Sequence, residues 1–335
     1  MKRSLLALLC CPNCRGRLDL VEGQGQGKEV VSGVLACQDC PARFPIRRGI
    51  PRFLSAERGS ESPREDIDHF GYQWTRFGFL SPTYEAQFLD WISPVERSFF
   101  PGKTVLDAGC GKGRHLVCAR QFGAATVVGM DASDGVETAY EHVRGMDNAH
   151  VVQADIHHPP FKPVFDYAYS VGVLHHLPDP EAGFRSILRV LRPGGRVSVW
   201  VYGLENNRWV LWLRKLLWSG VVARLGPSGR KSVSWAATAL ALWPALKLVY
   251  APMGRLGLAK RLFYGDYLCY ISGFSFRDVW LIVLDHISPG EQHYVSGPEI
   301  ARWFRDASLK DVVIEHHNRN SWRGFARLSS PPRRG

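Results

Sequence analysis

The chain has 335 residues, of which 45% are hydrophobic and 22% are charged. These fractions are close to those of ordinary soluble globular proteins and disfavour the collagen-like, wholly disordered and multi-span membrane classes. At roughly 150 residues per domain, the length predicts about two domains, or one large domain with an appended module. The net charge of +11 favours an anionic partner such as nucleic acid, a phosphorylated metabolite or a membrane surface, although an arginine-rich solvated surface gives the same count.

The first ten residues resemble a lipoprotein signal in their basic start, leucine run and cysteine. Their apolar stretch at residues 5–9 is shorter than the seven or more residues that such signals need, so we expect a cytoplasmic protein. The longest uncharged run, residues 232–246, contains Pro244 and is shorter than the roughly 20 residues of a membrane span. We therefore expect no transmembrane helix, whereas a helix at a membrane interface, and hence a peripheral membrane protein, stays open.

Four of the eight cysteines form two Cys-x-x-Cys pairs, Cys11 with Cys14 and Cys37 with Cys40. Each pair puts two thiolates on one tight turn, and two such turns joined by a hairpin make the tetrahedral sulfur cage that structural Zn²⁺ occupies. A redox function would need one isolated pair at the start of a helix, whereas both pairs here adjoin short strand-like runs. The spacing therefore predicts a structural zinc site.

The segment around these cysteines, residues 1–54, is too short to rely on a hydrophobic core alone. Metal binding would contribute much of its folding free energy, and Cys37→Ser is predicted to unfold this segment while largely sparing the rest of the chain. The two cysteine pairs, the run at residues 44–46 and Gly-Ile-Pro at residues 49–51 resemble the small zinc-ribbon family that activates and stabilises methyltransferases, sometimes as a separate subunit.

Residues 55–68 are charged and poor in apolar side chains, which predicts a linker. The aromatic-dense run that follows, residues 69–78, is expected to pack on the edge of the main domain or at the mouth of a ligand site.

A predicted strand at residues 103–108 leads into a glycine-rich turn, Gly109-Cys-Gly-Lys-Gly113, and then into a predicted helix. Such a turn lets backbone N–H groups approach a ligand closely at the positive end of the helix. The next two predicted strands end at Asp131 and Asp155. Asp131 is placed to accept hydrogen bonds from ribose hydroxyls, and Asp155 could meet the exocyclic amine of adenine. Three strand ends therefore converge on a nucleoside.

The alternation of strands and helices continues to residue 202 and predicts a parallel sheet with helices on both faces. The runs VLDAGCGKGRHL, VVGMDAS, QADIHHPPF, FDYAYSVGVLHHLPDP and LRVLRPGGRVSVWV resemble the ordered motifs of class I S-adenosylmethionine (SAM)-dependent methyltransferases. This resemblance implies an α/β fold with a Rossmann-like, seven-stranded, mostly parallel sheet. Binding of NAD(P) is disfavoured, because Arg114 stands where dinucleotide-binding folds have their last glycine.

The resemblance also implies which residues bind SAM. It places Asp107, Gly109, Gly111 and Gly113 around the methionine moiety, Asp131 on the ribose, Asp155 with Ile156 on the adenine, and residues 170–173, which include Ser170 and Val171, beside the sulfonium. Ala132 is a further expected cofactor-binding residue. Taken alone, each of the last two aspartates could equally be a helix cap or a turn former.

Methyl transfer from a sulfonium is an in-line displacement, so most of the acceleration can come from alignment of the reacting atoms. A hydroxyl or phenol acceptor would also benefit from a base, for which histidine has a suitable pKa. His175, which is followed by His176, and His293 are the candidates, although one member of such a pair usually points into packing. No Asn/Asp-Pro-Pro-Tyr/Phe motif follows the fourth predicted strand, which disfavours methylation of a planar amino group.

Residues 204–290 precede the last predicted helix and hairpin, where class I domains commonly insert their acceptor-binding elements. This segment holds eleven Lys/Arg, four Asp/Glu and six of the eleven tryptophans. Its composition fits a lid over a hydrophobic acceptor, or a surface that rests on an anionic bilayer. The plainer alternatives are a helical cap with its own core and a homodimer interface. Residues 69–203 and 291–328 then form the methyltransferase domain.

Together these features predict a SAM-dependent methyltransferase fused to a zinc ribbon, with a small-molecule or lipid-linked acceptor methylated at oxygen. The alternative acceptor is an RNA base, with the zinc ribbon and the positive charge engaging phosphates. A non-catalytic scaffold is a third hypothesis, and it predicts no cofactor binding.

Overall fold

The computed structural model describes most of the chain: residues 1–25, 27, 29–54, 67, 71, 74–75, 78–219, 221–287 and 292–329. The predicted linker at residues 55–68 lies outside the described residues except for Ile67. Parts of the aromatic-dense run and the end of the 204–290 segment also lie outside them.

The amino-terminal residues form a four-stranded antiparallel sheet after a short 3-10 helix at Arg3–Ala7. Its strands pair in chain order: β1 (Leu18–Gln24), β2 (Ser32–Cys37), β3 (Arg43–Arg47) and β4 (Ile50–Pro51). The first cysteine pair precedes β1, and the second lies at the turn between β2 and β3. The pairing of β1 with β2 therefore brings the two cysteine turns to the same end of the sheet.

A seven-stranded sheet forms the centre of the larger domain. Its strands are β5 (Thr104–Ala108), β6 (Thr126–Asp131), β7 (Ala149–Gln153), β8 (Phe165–Val171), β9 (Leu191–Tyr202), β10 (Lys310–His317) and β11 (Ser321–Arg327). Their order across the sheet is β10-β11-β9-β8-β5-β6-β7. Strands β5 to β9 are parallel, whereas β11 is antiparallel to both of its neighbours. The predicted α/β fold with a seven-stranded, mostly parallel sheet is confirmed.

Among the helices whose bounds the described residues give, five pack around this sheet: α1 (Tyr84–Trp91), α2 (Arg114–Gln121), α3 (Gly135–Val143), α4 (Pro180–Leu188) and, after the insertion described next, α10 (Gly297–Asp306). The start of α10 shows why the chain turns helical there. Ser296 and Glu299 form a reciprocal capping box, and Pro298 occupies the first turn. Ile300, Trp303 and Phe304 then recur at helical spacing and are buried in the core.

The predicted helical insertion lies between β9 and α10. It consists of α5 (Arg208–Ser219), α6 (Val221–Arg224), the long helix α7, α8 (Gly265–Ile271) and α9 (Phe276–His286). Helix α7 begins at Pro227 and continues through two wide π-helical turns, Thr238–Leu242 and Leu246–Tyr250, to Arg255. Residues Ser228–Arg255 form a helix that is long and apolar enough to cross a membrane, by length and composition alone. Only 17% of its most apolar window is buried within the protein.

The length of α7 differs from the sequence expectation, in which Pro244 limits the apolar run. In the structure the proline follows the first wide turn and occupies an early position of the regular turn Trp243–Ala245. A wide turn leaves room for a ring that has no N–H to donate, so the helix continues through it.

The amino-terminal sheet shares one hydrophobic core with the larger domain, in which Leu5 and Leu9 join Val152 and Phe161. The main chain is continuous across the contact as well. Residue Arg52 forms a parallel bridge to Gln153 of β7, and Phe53 N donates to Gln153 O at 2.8 Å. With the structure in hand we expect Cys37→Ser to affect the larger domain as well, because unfolding of the first 54 residues would expose this shared core.

Candidate active site

The glycine-rich turn between β5 and α2 holds backbone conformations that favour glycine. The φ angles of Gly109, Gly111 and Gly113 are 90°, 49° and 79°. A Cβ on Gly109 would lie 2.3 Å from a side-chain atom of Val173. The N–H of Gly109 donates to Met130 O at 2.7 Å, which ties the turn to the end of β6. The first two glycines therefore present bare backbone to the space above the sheet.

That space is a cavity of about 930 Å³ at the carboxyl ends of β5, β6, β7 and β8, here called the strand-end cavity. Seven of the ten predicted cofactor-binding residues border it: Gly109, Gly111, Asp131, Ala132, Asp155, Ile156 and Val171. The parallel order of the strands brings these distant parts of the chain together, because the carboxyl ends of such strands meet at one edge of the sheet.

Asp131 is held in place by three hydrogen bonds. Its Oδ2 accepts from Gly111 N at 2.7 Å, and its Oδ1 accepts from Ser133 N at 2.8 Å and from Ser133 Oγ at 2.7 Å. Burial raises the pKa of Asp131, and these hydrogen bonds act in the opposite direction. The carboxylate therefore fixes the glycine-rich turn as well as bordering the strand-end cavity.

Asp155 is fixed by a buried histidine that the sequence reasoning did not single out. His157 N donates to Asp155 Oδ1 at 2.9 Å, and His157 Nδ1 lies 3.0 Å from the same oxygen. The other ring nitrogen of His157 lies 3.2 Å from Asp179 O, at the start of α4. The orientation of Asp155 thus depends on the loop before α4 as well as on its own strand.

Three of the predicted cofactor-binding residues lie behind the strand-end cavity instead of on its wall. Asp107 is 2% exposed inside β5, where burial raises its pKa to about 8. Ser170 Oγ donates to Ala108 O at 2.9 Å and so joins β8 to β5. Gly113, which directly precedes α2, packs against Ala139 of α3. These three residues are therefore buried behind the wall of the cavity, where they support the strands and the glycine-rich turn.

A second cavity, also of about 930 Å³, adjoins the first and shares four lining residues with it: Trp74, Arg114, Gly172 and His176. We call it the aromatic cavity because Trp74 and seven further aromatic side chains from α1, β9 and the insertion border it: Tyr84, Trp91, Trp200, Tyr202, Tyr267, Tyr270 and Phe274. Two carboxyl groups interrupt this wall. Tyr84 Oη donates to Asp278 Oδ1 at 3.3 Å, and Tyr202 Oη donates to Asp285 Oδ2 at 3.1 Å.

The predicted catalytic histidines lie outside the lining of both cavities. His175 is fully buried with its ring centroid 4.1 Å from that of Tyr202, and burial lowers its pKa well below the usual value. His293 N donates to His175 O at 2.7 Å, beneath the same wall. The 3-10 turn at Leu174–His176 buries His175 in packing, whereas the next residue, His176, borders both cavities.

The four predicted zinc ligands come together at the end of the amino-terminal sheet. All four Sγ atoms lie within 4.8 Å of one another, with Cys11 Sγ 3.7 Å from Cys40 Sγ and Cys14 Sγ 3.4 Å from Cys37 Sγ. A tetrahedral site with Zn–S distances of about 2.3 Å has S–S edges of about 3.8 Å. The cluster therefore fits a structural zinc ion, with all four coordination positions filled by sulfur.

Two family models match the chain. Residues 106–199 match a family described as a methyltransferase domain, and residues 2–49 match the family of Trm112p-like proteins. The chain carries a methyltransferase domain and a Trm112p-like domain. The predicted pairing of a class I methyltransferase fold with a zinc-ribbon module of the activator type is thereby confirmed.

Similar proteins act on different kinds of acceptor by name. Over 109 residues, the chain is 37% identical to a tRNA U34 carboxymethyltransferase of Pseudoalteromonas translucida, covering 32% of this chain and 34% of that protein. Over 152 residues it is 30% identical to the sterol 24-C-methyltransferase erg6 of Schizosaccharomyces pombe, covering 42% and 40%. The chain thus spans less than half the length of these relatives.

Among solved structures, the chain is similar to one from the complex between the Haloferax volcanii Trm112 methyltransferase activator and a methyltransferase. The sequence identity is 17%, the TM-score is 0.49, and the match covers 80% of this chain and 100% of that chain.

The wall of the aromatic cavity is the part of the methyltransferase domain that the motifs did not reveal. Two signals in the sequence pointed to it: the aromatic-dense run at residues 69–78, from which Trp74 borders both cavities, and the composition of residues 204–290, which supply part of the wall. Trp91 and Trp200 stack with centroids 4.6 Å apart although they lie on α1 and β9, so only the folded chain brings them together.

Proposed function

We propose that this chain transfers a methyl group from SAM to an oxygen atom of a hydrophobic small-molecule or lipid-linked acceptor. The observation that carries the proposal is the pair of adjoining cavities with a common wall of four residues. One cavity has the strand-end residues suited to a nucleoside, and the other has the aromatic wall suited to an apolar acceptor. An acceptor in the second cavity would therefore lie next to a cofactor in the first.

The strand-end cavity fits SAM by the chemistry of its wall. In this proposal the bare backbone at Gly109 and Gly111 receives the methionine moiety, Asp131 binds the ribose, and Asp155 with Ile156 binds the adenine. The left-handed φ angles of the two glycines and the hydrogen bonds that orient the two carboxylates support this assignment. When bound, SAM supplies an electrophilic methyl group on a good leaving group.

The aromatic cavity would bind the acceptor largely by apolar burial. Its tryptophan and tyrosine rings offer large flat surfaces, while the phenol groups and the carboxyl group of Asp285 can orient a hydroxyl group. Walls of this kind also exclude water, which prevents hydrolysis from competing with transfer.

His176 is the proposed general base, because it lies on the wall common to both cavities. It would accept the hydroxyl proton as the oxygen attacks. The ring centroid of His175 lies 4.3 Å behind that of His176, and the lowered pKa of His175 keeps it neutral at physiological pH. A neutral neighbour does not oppose the positive charge that His176 would gain.

The test uses the full chain and SAM with a labelled methyl group. Titration calorimetry should show SAM binding, and label should enter the lipid-extractable fraction of a cell extract. We expect His176→Gln to lower the transfer rate by about 10²–10⁴-fold with SAM affinity unchanged. His316→Gln, a half-buried histidine of β10 outside both cavities, is the control. Full activity of His176→Gln would refute the assigned base, and absence of SAM binding would refute the function.

An RNA base is the second candidate acceptor. The identity to a tRNA U34 carboxymethyltransferase and the net charge of +11 favour it, and aromatic walls can stack a base as well as a lipid. Label would then enter RNA instead of the lipid fraction. Affinity for RNA would also fall steeply between two salt concentrations, because phosphate contacts release counterions.

We also infer that Cys11, Cys14, Cys37 and Cys40 hold one structural Zn²⁺ per chain. The compact cluster of four sulfur atoms supports this assignment. Elemental analysis of the purified protein should give one zinc per chain, and zinc-free protein that keeps its full stability would contradict it.

A further inference from the structure

The helical insertion, α5 to α9, exposes an unusual amount of apolar surface. Of the sixteen large hydrophobic side chains exposed in the described part of the chain, eleven lie between residues 209 and 263. The most exposed are Leu240 at 81%, Leu248 at 76% and Leu256 at 69%, with Trp212 and Phe263 each at 67%. Exposed apolar side chains concentrated in one segment in this way indicate an interaction site.

The exposed charged side chains of the described part of the insertion are all positive. Eight lysine and arginine residues are exposed in the described part of residues 204–287: Arg208, Lys215, Arg224, Lys247, Arg255, Lys260, Arg261 and Arg277. The four acidic residues of the same described range are all buried or half-buried: Glu205, Asp266, Asp278 and Asp285. The surface therefore combines apolar side chains with cations and offers no exposed carboxylate in its described part.

Packing fixes one side of α7 and leaves the other open. Ser234, Thr238 and Leu246 are buried. They are four and eight residues apart, and the π-helical turns, which hold more residues per turn than an α-helix, place residues at this spacing on the same side of α7. Leu246 packs with Ile271 and Val279 of α8 and α9. Leu240 and Leu248 lie outside this contact and face solvent.

We propose that this surface docks on a lipid bilayer that contains anionic lipids. Leucine, tryptophan and phenylalanine side chains would enter the boundary between headgroups and acyl chains, while the lysines and arginines would contact lipid phosphates. Charge complementarity favours this occupant over a second copy of the chain, since a two-fold interface would bring the same cationic surface against itself. The proposal concerns binding alone and does not depend on the proposed methyl transfer.

The contacts of α7 with the rest of the insertion favour a helix that lies on the bilayer over one that crosses it. Lys247 Nζ donates to Ser272 O at 2.6 Å and lies 4.3 Å from the ring centroid of Trp243. Trp280 Nε1 donates to Ser234 Oγ at 2.8 Å. A spanning orientation of α7 would break these contacts and bury the ammonium group of Lys247 in hydrocarbon.

The test is co-sedimentation of the full chain with vesicles. We expect binding to vesicles of phosphatidylcholine mixed with phosphatidylglycerol, weak binding to phosphatidylcholine alone, and release by high salt. The double variant Leu240→Glu/Leu248→Glu should lower the affinity by about tenfold or more. Val21→Glu/Val31→Glu is the matched control, because it adds the same charge at half-exposed sites of the amino-terminal domain, and it should bind as the wild type does.

Thermal unfolding shows whether the double variant folds. If it does not, the charge reversal Arg255→Glu/Lys260→Glu/Arg261→Glu at exposed sites replaces it, with the same expected loss. Absence of binding to anionic vesicles would overturn the proposal. Binding that survives both high salt and alkaline carbonate would indicate a membrane span instead. A dimer in solution that Leu240→Glu/Leu248→Glu dissociates would make a second copy the occupant, and this too would overturn it.

Discussion

Two regions are attached to the same seven-stranded sheet, and they are attached in different ways. The Trm112p-like domain contributes Met1, Leu5 and Leu9 to the main hydrophobic core, and its chain pairs with β7. The insertion has two small clusters, one around Leu246 and another around Leu284 that also includes Phe79 of the larger domain. The first region is therefore part of the scaffold that holds the strand-end cavity, whereas the second forms a wall of the aromatic cavity and an exposed outer surface.

This difference predicts whether a destabilising substitution in either region lowers the stability of the whole chain or only of that region. A destabilised amino-terminal domain exposes core surface of the methyltransferase domain, so the loss should be global. A destabilised insertion exposes these two small clusters and leaves the main core covered, so the loss should stay local and affect the acceptor side first.

The largest expected effect is that of Cys37→Ser. Loss of one of four sulfur ligands should release the metal, whose binding free energy in comparable sites is on the order of 10 kcal/mol at neutral pH. Because the core is shared, calorimetry should show one transition of the whole chain at a much lower temperature. Cys269→Ser in α8, outside the sulfur cluster, is the control and should keep both the zinc content and the transition. Two separate transitions, with that of the larger domain unchanged, would refute the shared core.

The second largest effect is expected for Leu246→Ala, which tests whether the insertion unfolds locally. This fully buried side chain packs between α7, α8 and α9, and its truncation should cost about 3 kcal/mol. The cost should appear locally, as faster amide hydrogen exchange in α7 and α9. Leu248→Ala, two residues along the same helix at a site 76% exposed, should change almost nothing. Equal loss of protection in the amino-terminal sheet would show that the insertion is as tightly coupled as the other region.

The residues of the strand-end cavity could be predicted because each follows directly from a local pattern. Gly109, Asp131 and Asp155 all lie within two residues of the end of a buried strand, and parallel strands bring such positions to one edge. The same locality explains the cysteine cluster, where spacing along the chain already sets the geometry of each turn.

The rest could not be read locally. Choosing between His175 and His176 requires the rotation of a single 3-10 turn against Tyr202. The stacking of Trp91 on Trp200 depends on the tertiary arrangement of α1 and β9. Continuation of α7 past Pro244 depends on π-helical turns, which no simple periodicity predicts.

A third effect tests the contact between the amino-terminal domain and β7. Arg52 is 11% exposed, forms an ion pair with Glu137, and donates to Gln153 Oε1 at 3.0 Å. Arg52→Ala leaves a half-buried carboxylate without this partner and should cost about 2 kcal/mol of global stability. Arg43→Ala breaks the ion pair with Glu22 on the same small sheet, where both side chains are more than half exposed, and should cost almost nothing. Equal effects of the two substitutions in denaturant unfolding would contradict the importance of the domain contact.

The smallest effect is expected for the hydrogen bond between Trp280 of α9 and Ser234 of α7. Trp280 Nε1 donates to Ser234 Oγ at 2.8 Å, and Ser234 Oγ donates in turn to Lys231 O at 2.9 Å. Trp280→Phe keeps an aromatic ring but removes the N–H, so it should cost about 1 kcal/mol in the local stability of α7. Ser234→Ala removes the acceptor, and a double-mutant cycle measured by hydrogen exchange should give a coupling energy near that of one hydrogen bond. A coupling energy of zero would mean that this hydrogen bond does not help to hold α7 against α9.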